Sequence, residues 1–409
     1  MTAYLDHAAT TPMRSVAIEA LTSELGNTGN ASSLHAAGRA ARRTVEEARE
    51  QLAAALGARP SEVVLTAGGT EADNLAVKGL FWGRRAQDPS RRRIVVSAVE
   101  HHAVLDPAFW MAGCAGAEVV LLPVDGEGRI DLDALAAELD ASGPTVALIS
   151  VMWANNEVGT VQPLDGVVAL ARRYGVPVHA DAVQAIGQVP VDFAASGLDA
   201  MTVSGHKVGG PHGTGALLAR RALALTPVLH GGGQERGVRS GTLDTPGARS
   251  FAVAVDAAVR ERPAQAVRLA ALRDDLIARV RADVPGSVLR GPDPTTGRSA
   301  RGTVGPDSSG PGRLPGNAHF TFPGCEGDSL LYLLDSAGVQ CSTGSACQAG
   351  VPQLSHVLLA MGVDVRDARG ALRFSLGRTS TRGDVDELLA VLPGVVERAR
   401  AAGLASAVR

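Results

Sequence analysis

Short apolar runs alternate with helix-period segments from about Val16 to Leu225, and this alternation excludes most folds. Val63–Thr66, Ile94–Ser97, Val119–Leu122, Val146–Val151, Val176–Asp181 and Ala200–Val203 are brief and dominated by Val, Leu, Ile and Ala. Continuous apolar runs of this kind suit strands buried on both faces, so the pattern predicts a mostly parallel sheet covered by helices. Between the runs, Ala36–Leu56 reads as a long amphipathic helix ending near Gly57, and Gly68-Gly69-Thr70 opens another towards Leu80. After about Gly247 the pattern changes. Helical segments at Ser250–Arg260, Ala264–Ala282, Ser329–Ala337 and Val385–Ala401 are joined by strands at Ala318–Phe322 and Leu372–Leu376. The stretch from Arg290 to Pro315 is rich in Gly, Pro, Ser, Thr and Arg, has no periodicity, and is expected to be a mobile loop. With 409 residues the chain is long enough for two domains. We expect a large α/β domain over 14–260 and a smaller α+β domain built from 1–13 and 261–409.

Two of the predicted strands stop on groups that can do chemistry. Val176–Asp181 ends on a carboxylate, and Ala200–Val203 runs into Ser204-Gly205-His206-Lys207. Ligands of open α/β sheets sit beyond the carboxyl ends of the strands. A Lys there can form a Schiff base with pyridoxal phosphate (PLP), and an Asp can pair with the protonated pyridine nitrogen. A plain ion pair at a strand end is the competing reading.

Other segments bear on the choice. Gly68-Gly69-Thr70, between a strand and a helix, can bring backbone N–H groups to a phosphate, or Thr70 can simply cap the helix. Gly231–Thr242 is glycine-rich and carries Arg, Ser and Thr donors, which suits an anion cradle or a long flexible loop. His101 follows the strand Ile94–Ser97, where an imidazole can stack on a planar ring and move a proton, or merely cap. Cys347 lies in a run of small residues, Ser342–Gly350, unlike the large apolar surroundings of most structural cysteines. Cys341 is the better structural candidate. Arg373 sits inside the apolar strand Leu372–Leu376 and needs an anionic partner, either a substrate carboxylate or a nearby Asp or Glu.

Net charge is −3, so no strong attraction to nucleic acid or an anionic membrane is expected. No run of about 18 apolar residues suggests a membrane span, and no signal peptide is visible. The four cysteines include no CxxC pair and are expected to be thiols in a cytoplasmic protein.

Taken in order, these segments resemble the cysteine desulfurases of the class V aminotransferase group, nearly end to end. The likeness runs through Tyr4–Pro12, Asn30–His35, Thr66–Asn74, Glu100-His101, Asn155–Gly159, Asp181–Gln184, Ser204–Lys207, Gly231–Thr242, Ser345-Ala346-Cys347 and Arg373-Phe374-Ser375. Thr343–Cys347 is similar to the long-loop group. Ala31 departs from the family, which usually has Pro there, and the polar stretch 290–315 is longer than the family leads one to expect.

The resemblance implies the PLP-dependent transferase fold type I and a homodimer. It implies that Lys207 holds PLP, that Asp181 pairs with the pyridinium, that Gln184 bonds the phenolic oxygen with Asn156 nearby, and that His101 stacks on the ring. Gly69, Thr70, Ser204 and His206 should hold the phosphate, with Thr242 reaching the phosphate of the other subunit. Arg373 and Asn156 should grip the substrate carboxylate, and Cys347 should receive sulfur from L-cysteine as a persulfide. The implied partner is a sulfur acceptor, either an iron–sulfur scaffold or a tRNA-thiolation enzyme. The alternatives are a selenocysteine lyase, a plain class V aminotransferase, or a sulfur-carrier or scaffold protein without turnover.

Overall fold

The structure, a computed structural model, describes residues 2–295, 312–344 and 354–407, with side chains to residue 402. Most of the polar stretch 290–315 therefore lies outside the described residues, as does Cys347. After a short strand β1 (Ala3–Tyr4), the chain builds a seven-stranded sheet from β2 (Val63–Thr66), β3 (Arg93–Ser97), β4 (Glu118–Leu122), β5 (Val146–Ser150), β6 (Val178–Asp181), β7 (Ala200–Ser204) and β8 (Gly215–Ala219). Its order is β2-β8-β7-β6-β5-β3-β4. Every neighbouring pair from β7 to β4 is parallel, and only β8 runs against its neighbours β2 and β7. The strands β5, β6 and β7 are buried throughout, as continuous apolar runs covered on both faces should be.

The sequence reading does not single out β8. Gly-Ala-Leu-Leu-Ala has no β-branched or aromatic residue, so its strand character comes from pairing with β2 and β7 rather than from propensity.

A second sheet, of order β12-β10-β9, is antiparallel and joins β9 (Val288–Arg290), β10 (Asn317–Thr321) and β12 (Ala371–Ser375). The strand β1 pairs in parallel with β11 (Val339–Gln340), so the N-terminal residues Ala3 and Leu5 join the apolar core around this second sheet.

One helix differs from expectation. The sequence reads as two helices, Ser250–Arg260 and Ala264–Ala282, yet Thr245–Asp283 is a single helix of 39 residues with Pro263 inside it. Phe251, Val255 and Ala258 pack in the core of the large sheet. Leu269, Leu276, Ile277 and Val280 pack in the core of the second sheet. A mid-helix proline costs about 3 kcal/mol. Burying four large aliphatic side chains contributes about 1.5–3 kcal/mol each, which outweighs that cost.

From β1 the chain crosses to the carboxyl edge of the large sheet. Thr11 N donates to His206 O at 3.2 Å, and Arg14 N donates to Gly209 O at 2.9 Å. The short segment between them therefore lies against the turn that follows β7.

Candidate active site

A cavity of about 420 Å³ opens where the large sheet, the N-terminal segment and β12 meet. Gly69, Thr70, His101, Asn156, Asp181, Gln184, Ser204, His206, Lys207 and Arg373 all line it. Thr242 is exposed and does not line it, and Cys347 lies outside the described residues.

The two charged groups that first suggested chemistry share this cavity. Asp181 closes β6, is buried, and accepts a hydrogen bond from Val183 N at 2.8 Å. Burial pushes its carboxyl up to about 6, while the Val183 N–H and the Lys207 cation act the other way. Lys207 stands at the end of a 3₁₀ turn that directly follows β7. Its Nζ donates to Ala8 O at 2.6 Å and Ala9 O at 2.7 Å. Burial brings the amine down to about 8, helped by the nearby Arg373 cation, against the pull of Asp181 and Asp6. Gln184 Nε2 donates to the same Ala8 carbonyl at 2.9 Å.

His101 and His206 are held neutral by burial. His101 caps the helix His102–Ala115, its Nδ1 accepting from Ala103 N at 3.0 Å. That bond leaves the single ring proton on Nε2. Burial, reinforced by the Lys207 charge, brings His101 down to about 4. His206 approaches Thr10 Oγ1 through Nδ1 at 3.3 Å, stacks on His212 at 5.3 Å between centroids, and is likewise brought down to about 4, chiefly by burial.

Gly69 begins the helix Gly69–Gln87, whose first-turn N–H groups have no partners within the helix. A Cβ on Gly69 would come within 3.0 Å of Val183 Cγ2 and 3.4 Å of Ser204 Cβ. The missing side chain keeps this corner of the cavity open for a group bound at the helix start.

Arg373 is buried on β12. Its Nη2 meets Asp6 Oδ1 at 2.7 Å and its Nη1 donates to Asn156 O at 2.9 Å, while its Nε has no hydrogen-bond partner among the described residues. The carboxylate partner considered from sequence thus exists within the chain as Asp6, and one guanidinium donor is still unused.

In the glycine-rich segment 231–242, Arg239 pairs with Glu71 at 2.7 Å, and Gln234 Oε1 accepts from Gly241 N at 2.9 Å. Glu235 is buried and forms two bonds to Arg49, at 2.7 and 2.6 Å, holding Glu235 and Arg236 at positive φ of 46° and 58°. The segment is thereby fixed to the outside of the sheet, with Thr242 on its exposed side.

Several lining residues escaped the sequence reading. The carbonyls of Ala8 and Ala9 carry no side-chain signal. Asp73 and Glu157 stand within the segments Thr66–Asn74 and Asn155–Gly159. Asp73 sits between Ala72 and Asn74 and Glu157 between Asn156 and Val158, so neither stands out in the sequence; only the fold buries both.

The model of the aminotransferase class V family matches residues 3–275 and 304–388. An IscS-like cysteine desulfurase of Mycobacterium tuberculosis is 56% identical over 405 residues, covering 99% of each chain. The solved structure of a NifS-like protein superposes with a TM-score of 0.85 at 32% identity, covering 97% of this chain and 100% of that one. A structure described as SspA in complex with cysteine matches with a TM-score of 0.74 at 30% identity, covering 92% and 99%. With the cavity at the strand ends and a match over nearly its whole length, the chain belongs to the class V aminotransferase family, among relatives of the IscS type.

Proposed function

We propose that this chain is a PLP-dependent cysteine desulfurase that converts L-cysteine to L-alanine and takes the sulfur onto Cys347 as a persulfide. The observation that carries the reading is Lys207 and Asp181 lining one cavity with Arg373.

The residues present fit PLP. The open corner at Gly69, the buried carboxyl of Asp181 and the half-buried amine of Lys207 provide places for a phosphate, a ring nitrogen and an aldehyde carbon. Gln184 would meet the phenolic oxygen, His101 the ring face, and Thr70, Ser204 and His206 the phosphate with Gly69. Thr242 would serve the phosphate of a second copy, which makes the working unit a homodimer. When bound, PLP supplies an electron sink for the bonds around the substrate Cα.

The chain's own residues do the rest. A Lys207 amine lowered to about 8 has a neutral fraction at pH 7 roughly three hundredfold above that of an ordinary lysine. It can therefore act as a nucleophile and then as a base. The Asp181 anion, placed about 4 Å from a cation at an effective dielectric near 20, would be worth roughly 4 kcal/mol. His101 keeps its proton on Nε2 and so serves as a donor within the cavity. Arg373, through its unused Nε and beside Asn156, would hold the substrate carboxylate. The carbon–sulfur bond of cysteine breaks, a sulfur–sulfur bond forms on Cys347, and the carbon skeleton leaves as alanine, so one thiol and one cysteine become one persulfide and one alanine.

The large part of the chain, 14–260, would carry the cofactor, and 1–13 with 261–409 the cysteine. The acceptor would be an iron–sulfur scaffold or a thiolation enzyme of the cytoplasm.

The test is to incubate the PLP-loaded protein with L-cysteine and follow alanine release together with the mass of the Cys347 peptide. Equimolar alanine and one added sulfur on that peptide support the proposal. A keto acid without persulfide would make the chain an aminotransferase, and turnover of selenocysteine alone would make it a lyase.

A further inference from the structure

Behind Asp181 lies a second carboxyl group to which the proposed chemistry assigns no task. Asp73, on the helix Gly69–Gln87, lines the cavity and is only 1% exposed. One of its oxygens, Oδ1, has no hydrogen-bond partner among the described residues, and the carboxyl group faces the Thr202 hydroxyl on β7. His179, fully buried on β6, links the same hydroxyl to Ser150 on β5. Its Nε2 lies 3.0 Å from Thr202 Oγ1, and its Nδ1 lies 2.9 Å from Ser150 Oγ. His179 Nε2 is also 3.6 Å from Asp73 Oδ1. Asp73, Thr202, His179 and Ser150 thus form one buried polar chain spanning three adjacent strands and the helix above them.

The charged and titratable groups facing Asp73 come from each packed element. Asp181 and His179 stand on β6, and Glu100 stands in the turn after β3. None of them is a cation: burial keeps His179 neutral, burial also holds the proton on Glu100 well above the carboxylate range against the Met152 N–H, and Asp181 is itself an acid, which leaves Asp73 and Asp181 to share one charge. Two carboxylates in one dry site cannot both ionise cheaply. The surroundings decide which one does. Asp181 has the Val183 N–H and the Lys207 charge to stabilise an anion. Asp73 has one hydroxyl partner and a bare oxygen, an arrangement costly for a carboxylate and tolerable for a neutral acid.

We propose that Asp73 is a positioning residue of this site: it stands as the neutral acid of a two-carboxyl pair and leaves the single negative charge on Asp181. This rests on the PLP reading above for its use, though not for its occurrence. As an acid, Asp73 completes a one-way donor chain, from its O–H to Thr202 Oγ, from the Thr202 O–H to His179 Nε2, and from His179 Nδ1–H to Ser150 Oγ. No proton leaves the network. Burial, then Asp181 and Glu100, hold the proton on Asp73 well above the ordinary carboxylate range, against the Thr202 hydroxyl, which favours the anion when it donates. The consequence for a bound ring is one localised anion under its nitrogen, in a fixed place.

Infrared difference spectroscopy at neutral pH, on PLP-loaded and PLP-free protein, tests this. Asp73→Asn should remove one protonated-acid carbonyl band, and Asp181→Asn should leave that band in place. Thr202→Val, which takes away the partner of the acid, should shift the band without abolishing it, and it provides a readout should Asp73→Asn fold poorly. PLP binding should weaken by less than about threefold in Asp73→Asn and by more than about tenfold in Asp181→Asn, because only the latter removes a charge from beneath the ring nitrogen. No band lost in Asp73→Asn, or loss of the band in Asp181→Asn, overturns the assignment. Equal weakening of PLP in the two variants overturns it as well, since Asp73 would then be a second anion. A protein that takes up no PLP yet loses the band in Asp73→Asn would keep the acid and sink the cofactor reading alone.

Discussion

Arg373 Nη2 on β12 lies 2.7 Å from Asp6 Oδ1 on the N-terminal segment. The residues are far apart in sequence, and the ion pair joins the second sheet to the segment that lies across Lys207. A buried guanidinium requires such a counter-charge, so the chain holds the arginine in place before any substrate arrives.

Arg373→Lys should therefore raise KM for L-cysteine by about tenfold or more while the PLP absorption stays intact, because lysine cannot supply a planar bidentate fork. Steady-state kinetics and a visible spectrum check this. An unchanged KM would mean that Asp6 is the only carboxylate Arg373 ever meets.

Lys207→Ala should abolish covalent PLP. Borohydride reduction of the wild type followed by peptide mapping should place the pyridoxyl group on Lys207. Finding it on Lys78, whose Nζ instead lies over the Trp110 ring at 4.4 Å, would refute the assignment.

The lowered Lys207 amine gives a pH dependence with a definite sign. Burial disfavours the protonated form, so the neutral amine accumulates from about 8 upward rather than above 10. The rate at which PLP-free protein takes up PLP should rise with pH and level off above about 8. A rate still climbing steeply well above that point would place the amine in an ordinary aqueous setting.

Cys341 and Cys347 should behave oppositely. Cys341 is buried, and burial pushes its thiol up to about 12, leaving almost no thiolate at neutral pH. Cys341→Ser should keep desulfuration and lose some stability. Cys347→Ser should still bind cysteine and form no persulfide. Mass spectrometry of the two peptides after incubation with L-cysteine decides between them.

The Arg49–Glu235 pair should carry stability for the segment bearing Thr242. Breaking a buried ion pair from one side costs about 3–5 kcal/mol, so Arg49→Met should lower the urea midpoint strongly. It should also loosen Glu235 and Arg236 from their positive-φ conformation and weaken PLP retention if Thr242 acts across a dimer. A midpoint equal to wild type would show that the pair holds nothing.

The local chemistry of this chain could be read from its residues. Continuous apolar runs determined the strands β2 to β7; β5, β6 and β7 are buried on both faces and need no polar alternation, whereas β4 at the sheet edge is apolar yet leaves Leu121 exposed. The polar groups that end β6 and β7 determined where a ligand would sit, because strand ends in such sheets are where side chains converge. What only the tertiary structure decided was every contact made at long range. The strand β8 exists by pairing, the helix Thr245–Asp283 runs through Pro263 because two separate cores hold its halves, and Asp6 reaches Arg373 because β1 pairs with β11. The charge states of Lys207, Asp181 and Asp73 belong to the same class. An aspartate reads alike anywhere in a sequence, and its ionisation is set by the burial and neighbours that folding gives it.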